Sequence, residues 1–323
     1  MKKIILLPFI LTFSLCAAFT EADGSPYKAA LTGMAEKMGA QLAENTTLLG
    51  SQPDAFVGRV FPAYPAHLAA GLTLSGAQLE TEFIADSMQR IVDGIASEIP
   101  EDYAPSISLT IPKSIFLPAA SISCRVGGFF LPFDIGLYGT ATTDSLLKDI
   151  SMSDFTADIA AYTLGGDLRY AVLEGGTIAP KVSVGAGYVY SHYSLGLFYN
   201  RELNSTEYES GILDTSLDLT AETHTMFVQA QVSKRIRIFT PFFALKLFGT
   251  LSKASFDWQF STTNTIDDVK RTAADEVSDF SGVQVQLSGG AGIQLGLLQL
   301  GVTGSYNATK DRLGAALSIM YKM

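Results

Sequence analysis

Beyond its first residues, this 323-residue chain has no run approaching the ~20 apolar residues that carry a helix across a bilayer, although 47% of it is hydrophobic. Apolar residues so numerous must be scattered, and period-two alternation is one way to scatter them. Charge is scarce as well. Asp, Glu, Lys and Arg make up 17%, below the roughly 25% of an ordinary soluble domain. The net charge of −10 argues against a nucleic-acid partner, because phosphate contact needs clustered Lys and Arg. The two cysteines are Cys16 and Cys124. Cys16 falls in the leader described next, so the mature chain lacks the pair an internal disulfide needs. The three histidines, His67, His192 and His224, lack metal-ligand spacing. Neither a metal nor a cofactor is expected.

The leader MKKIILLPFILTFSLCAAFTEADG has a basic start at Lys2 and Lys3, an apolar stretch from Ile4 to Phe13, and the small residues Cys16-Ala17-Ala18. That order reads as a secretory signal covering residues 1–22, cut after Ala18 or Ala22. A retained anchor and a lipid on Cys16 are the alternatives. The apolar stretch is short for the first, and Leu15 is bulky for the second.

Residues 23–65 read as an N-terminal helical segment, periplasmic or plugging. Within it Tyr27, Leu31, Met34, Met38 and Leu42 recur at helical spacing, before Pro62 and Pro65 break the pattern. A second stripe, Leu79, Phe83, Ile84, Met88, Ile91, Val92, Ile95 and Ile99, predicts a helical insertion at about 79–99. Its acids, Glu80, Glu82, Asp86 and Asp93, lie on the other face. Its place, in the barrel mouth or outside it, is left open. Ordinary packing accounts for either stripe.

From residue 118 onward the period is two. GVQVQLSGGAGIQLGLL (282–298) sets Val283, Val285, Leu287, Ala291, Ile293, Leu295 and Leu297 against Gln284, Gln286, Ser288, Gly290, Gly292, Gln294 and Gly296. Comparable alternation occurs near 121–126, 133–138, 162–172, 182–190, 226–232, 243–251, 300–306 and 313–321. With a first strand from His67 to Leu79 the count is ten, with twelve as an upper bound. Connections alternate between tight turns, near 127–131, 174–176, 235–240 and 297–299, and longer polar segments at 142–155, 200–215 and 258–281. All the tight turns therefore lie at one end of an antiparallel meander.

The quiet face of these strands is Gln, Ser, Thr and Gly with few charges, a poor surface toward water. A soluble sandwich or barrel hides its apolar faces and shows charge. A transmembrane barrel does the reverse, with lipid outside and a polar lumen, and its closure pairs every backbone amide within the hydrocarbon. The expected fold is thus an all-β, antiparallel up-and-down transmembrane β-barrel over residues 66–323, with an N-terminal helix and a helical insertion. Tyr188, Tyr190, Tyr193, Tyr199, Phe256, Trp258 and Phe260 gather toward the long-loop end, as rings do at a headgroup boundary. The apolar set moves from even to odd positions after Tyr190, which predicts a bulge there. An even strand number puts both chain ends beside the tight turns, on the periplasmic side of a bacterial outer membrane.

The segments FLPAASISCRVGGFFLPFDIGLYG, GGTIAPKVSVGAGYVY, FVQAQVSKRIRIFTPFFALKLFG and SGVQVQLSGGAGIQLGLLQLGV resemble a family of uncharacterised bacterial outer-membrane barrels, itself distantly similar to the long-chain fatty-acid transporters. The likeness covers about 115–323. It implies a transport-type barrel with an N-terminal segment near the lumen, and carries over no lipid-binding residue. Leu317, Ile319, Tyr321 and Met323 resemble the C-terminal signal read by barrel-insertion machinery, although that signal usually ends in an aromatic residue.

The lumen-facing charged candidates are Arg125, Asp134, Asp167, Arg169, Lys181, Arg235, Arg237 and Lys246. A mixed-sign band could be a constriction selecting solutes or a salt-bridged plug stabilising a narrow barrel. Enzyme readings have little support. His192 has Ser191 and Ser194 nearby, but nothing marks the third group that an activated hydroxyl needs, and no catalytic residue is assigned. The expected partners are outer-membrane lipid, the insertion machinery and a small or amphipathic solute. The expected function is a pore or transporter. A closed barrel whose outer loops bind or adhere is the alternative, and a soluble secreted β-protein the third.

Overall fold

The computed structural model describes residues 28–29, 31–33, 35–37, 41, 52–58, 67–80, 82, 86, 113–128, 130–142, 155–203, 211–263 and 270–323. The leader lies outside the described residues. Ten strands follow one another: β1 (Leu68–Glu80), β2 (Ser114–Gly127), β3 (Phe133–Thr142), β4 (Phe155–Glu174), β5 (Lys181–Leu203), β6 (Gly211–Ser233), β7 (Phe239–Thr263), β8 (Lys270–Leu295), β9 (Leu298–Asn307) and β10 (Arg312–Lys322). Each pairs antiparallel with its chain neighbours, and β1 pairs with β10 from Ala69↔Lys322 to Ala77↔Gly314 to close the barrel. The expected architecture and the count of ten both hold.

Facing follows from alternation, and it is inside out. Val283 is 68% exposed on the exterior while its neighbour Gln284, in the lumen, is 1% exposed. Strand β9 alternates without interruption, with Leu298, Leu300, Val302 and Tyr306 outward and Gln299, Thr303, Ser305 and Asn307 buried. Leu72, Leu74, Ile122, Leu164, Leu168, Leu317 and Ile319 extend the same apolar exterior around the barrel. An exterior like this is stable against acyl chains and not against water. With the closed ladder, it makes the protein a transmembrane barrel of the bacterial outer membrane.

Three expectations are corrected. The outer connections are shorter than 200–215 and 258–281, because β5 to β8 run 23, 23, 25 and 26 residues and leave 204–210 and 264–269 between them. The helical insertion does not begin at 79, since β1 continues through Glu80; Glu82 and Asp86 are helical and the remainder to 99 lies outside the described residues. No bulge follows Tyr190. The β5–β6 register is unbroken, and β4–β5 shifts only between Ala171 and Leu173.

The true cause of that apolar switch is a change of surroundings. About ten residues of tilted strand span the hydrocarbon, so β5 to β8 stand well above it. Within the membrane, β6 turns Met226 and Val228 outward and Thr223, Thr225 and Gln231 inward. Higher up, Asp218 and Thr220 face out while Leu217, Leu219 and Ala221 are buried inside. Strand β7 repeats this, with Asp257 and Gln259 outward and Ala254, Phe256 and Trp258 inward. The strands keep their register while the solvent outside changes from lipid to water. At the crossover the exterior carries Tyr162 stacked on His192, Tyr188 hydrogen-bonded to His224 Nδ1 at 2.6 Å, and Lys253 paired with Glu276 at 3.0 Å. Polar-edged rings suit such a boundary, but Phe256 and Trp258, expected among them, are instead buried on the inner face.

A short helix in the N-terminal region, described at 28–29, 31–33, 35–37 and 41, meets the upper inner wall. Lys28 and Thr32 reach Asp275, the register partner of Phe256, at 3.4 Å each. The Glu80 amide donates to Gln41 Oε1 at 2.9 Å. Leu31 and Ala35 are buried.

Candidate functional site: a charged cluster at the tight-turn end of the lumen

The lower lumen holds its charges because three adjacent strands turn them inward in register. Arg125 on β2 sits opposite Gly136 of β3, Gly136 opposite Asp167 of β4, and Asp134 opposite Arg169. Arg125 Nη1 donates to Asp134 Oδ1 and Nη2 to Asp167 Oδ1, both at 2.6 Å. Arg169 Nε donates to Asp134 Oδ1 at 2.8 Å and Nη2 to Oδ2 at 3.0 Å. Gln229 Nε2 adds a bond to Asp167 Oδ2 at 3.3 Å. Asp134 is 0% exposed and Arg125 2%. Charges so enclosed persist only because each is matched by opposite charge and hydrogen bonds.

Gly136 has no side chain because the Arg125 guanidinium and the Asp167 carboxylate occupy that space; a Cβ there would overlap both. This is a close approach that glycine alone permits.

Residues 52–58 complete the cluster from the N-terminal segment. The Val57 amide donates to Asp134 Oδ2 at 3.0 Å, and Arg169 Nη1 donates to the Asp54 carbonyl at 2.9 Å and to Gln231 Oε1 at 3.2 Å. Gln231 Nε2 donates to the Gln52 carbonyl at 2.8 Å, and the Ala55 amide to Ser233 Oγ at 3.0 Å. Lys181 Nζ donates to the Phe56 carbonyl at 2.8 Å. The Asp54 carboxylate pairs with Lys322 of β10 and lies 4.0 Å from Lys181 of β5. Pro53 reaches the far wall, where a Cβ on Gly292 of β8 or Gly301 of β9 would come within 2.9 Å of it. This short stretch thus touches strands around most of the mouth, and Ala55 and Phe56 are buried there. Burial opposes the charge on Asp54, but Lys322 and then Lys181 beside it hold its carboxyl below the ordinary aspartate range.

Of the eight residues picked from sequence, the structure joins Arg125, Asp134, Asp167 and Arg169 directly and adds Lys181 through the N-terminal segment. Lys246 lies beside the cluster, since its register partner Gln229 bonds to Asp167, and its ammonium sits 4.6 Å from the centroid of the Phe227 ring. Arg235 and Arg237 are corrections. They lie in the β6–β7 turn at 234–238, exposed and outside the lumen, because the strand ends at Ser233 and alternation stops constraining them. Lys322 was legible, since it shares the polar phase of Gly314 and Ser318. Asp54 was not, because SQPDAF carries no periodicity.

No Ser–His pair forms at 191–192. Ser191 faces inward, accepting from Thr163 Oγ1 at 3.0 Å, while His192 faces outward, its Nδ1 3.5 Å from Glu222. Among the described residues no group of His, Cys, Asp and Glu could hold a metal ion.

No family model and no curated protein matches the sequence. Solved structures similar to it are outer-membrane barrels at low identity. The outer membrane protease OmpT from Escherichia coli is 11% identical over 80% of this chain and 98% of that one, with a TM-score of 0.41. The translocator domain of the autotransporter NalP from Neisseria meningitidis is 8% identical over 93% and 100%, at 0.35. A Pseudomonas aeruginosa FadL homologue is 10% identical over 80% and 90%, at 0.26. Scores this low lend nothing to the functional reading, which rests on the barrel's own geometry.

Proposed function

We propose that the protein is a gated outer-membrane pore or transporter for small or amphipathic solutes, non-enzymatic, whose periplasmic mouth is closed by residues 52–58. One observation carries this reading. The ladder closes through β1 and β10 without help from the segment, so the segment is not needed to complete the sheet. Yet it is tied to the inner wall by hydrogen bonds and ion pairs, which can be exchanged for water. A closure of that kind can open while the barrel stays intact. The lumen changes from apolar inner walls at Leu217, Leu219, Phe256 and Trp258 to the polar mouth below. An amphipathic molecule matches both environments.

Single-channel recording on reconstituted protein tests this. The wild type is expected to rest near baseline, and deletion of residues 52–58 to give open-pore current. A deletion variant that folds as a barrel, judged by its mobility shift on boiling, yet stays at baseline overturns the reading.

A second reading, a closed barrel that binds something outside the cell, is favoured by the height of β5 to β8 above the membrane. Trimming these strands above the crossover should then abolish attachment and leave permeability unchanged.

A further inference from the structure

Arg235 and Arg237 fall outside the lumen, and their actual setting is unusual for this acidic chain. Four tight turns share one end of the barrel, at 128–132, 175–180, 234–238 and 296–297, the end that faces the periplasm in bacterial barrels with short turns. Only the third contains charged residues, and all three, Lys234, Arg235 and Arg237, are cations. Lys234 is already engaged. Its ammonium donates to the carbonyls of Gly176, Thr177 and Ala179 at 3.1, 2.9 and 3.0 Å, and so ties the β4–β5 turn to the β6–β7 turn. Arg235 contributes its Nε to the Arg237 carbonyl at 3.2 Å, which leaves the rest of its guanidinium outward. Arg237 holds φ at 58° in a two-residue hairpin closed by Ile236 and Phe239. Glycine is the residue that this conformation favours, so an arginine there is kept against its backbone preference.

The neighbouring side chains are large and apolar. Ile236, Ile238 and Phe239 are exposed, and Ile178, on the turn that Lys234 holds in place, is 92% exposed. One acid, Glu174, ends β4 just before the turn that Lys234 holds. A surface that alternates cations with aliphatic groups, immediately below the lipid-facing Val232 and Phe243, meets two layers at once: anionic headgroups and the acyl boundary.

We propose that the β6–β7 turn is a docking surface for anionic phospholipid of the periplasmic leaflet. Arg235 and Arg237 take the headgroup phosphate, and Ile236, Ile238 and Ile178 enter the acyl boundary. The site is independent of the pore reading, since the turn lies outside the lumen.

The test reconstitutes the full-length protein in phosphatidylcholine bilayers and compares its association with spin-labelled phosphatidylglycerol and spin-labelled phosphatidylcholine. The wild type is expected to prefer phosphatidylglycerol, less so at high salt. R235Q/R237Q should lose that preference, by roughly fivefold per arginine as expected for a basic residue near an anionic surface. Arg237→Gly suits the backbone better and removes one charge, so it should fold and lose part of the preference. Lys310→Gln, in the turn at the opposite end, should change nothing. A wild type without the preference, a double variant that keeps it, or an equal loss in Lys310→Gln would each overturn the proposal.

Discussion

Arg169 and Asp134, register partners on adjacent strands, face each other through two nearly parallel hydrogen bonds of 2.8 and 3.0 Å inside the lumen. Such a fork fixes direction as well as charge. Arg169 also reaches the Asp54 carbonyl, so one guanidinium joins the barrel wall to the closing segment. Arg169→Ala leaves Asp134 under-compensated and buried, and should destabilise the barrel by about 3–5 kcal/mol. Arg169→Lys keeps the charge without the fork and should recover only part of this. Urea unfolding in lipid bilayers measures both; a loss under about 1 kcal/mol for the alanine variant would mean that water already screens the cluster.

Gly136→Ala asks whether the space between Arg125 and Asp167 is as full as the geometry indicates. The added methyl must push the guanidinium off its carboxylate, at about 1–3 kcal/mol by the usual cost of overpacking. An alanine variant as stable as the wild type would show that the pair can part freely.

The inversion of faces along one strand can be scanned on β7. Leu245 lies midway between the outward Phe239 and Leu251, and Leu245→Arg should cost about 2–4 kcal/mol at the bilayer midplane. Asp257→Arg, outward but above the lipid, should fall within about 0.5 kcal/mol of the wild type. Phe256→Arg, one residue earlier and buried inside, should again be severe. Equal effects at 245 and 257 would place both in the same medium and sink the assignment.

Acid should loosen the closing segment. The Asp54 carboxyl is held below its ordinary value of 3.8 in the docked state by Lys322 and Lys181, against the opposing effect of burial. Its contribution to docking is therefore complete above that value, and it is lost as pH falls through the depressed one, because the released state binds the proton more tightly. Protease access to residues 52–58 should rise as pH drops below about 4. Asp54→Asn should be open to protease at neutral pH and nearly insensitive to acid; an unchanged acid response in that variant would assign the effect to another group.

The sequence determined the barrel. Alternation in 282–298 and its counterparts set the strands, their number and which side chains meet lipid, because a side-chain period of two leaves one choice of face per strand. It also placed Arg125, Asp134, Asp167 and Arg169 on a common inner face, which put them within reach once neighbours paired. Tertiary structure decided the rest. Where β5 to β8 leave the bilayer depends on tilt and on the medium outside, so the apolar shift after Tyr190 could be mistaken for a bulge. Asp54 meets Lys322 across 268 positions of chain, and nothing periodic marks its segment. Arg235 and Arg237 left the lumen because β6 ends at Ser233, and beyond the strand their phase no longer sets which way they face. Local pattern fixes which way a strand residue points, whereas contacts between a non-periodic segment and a closed wall exist only after the wall has closed.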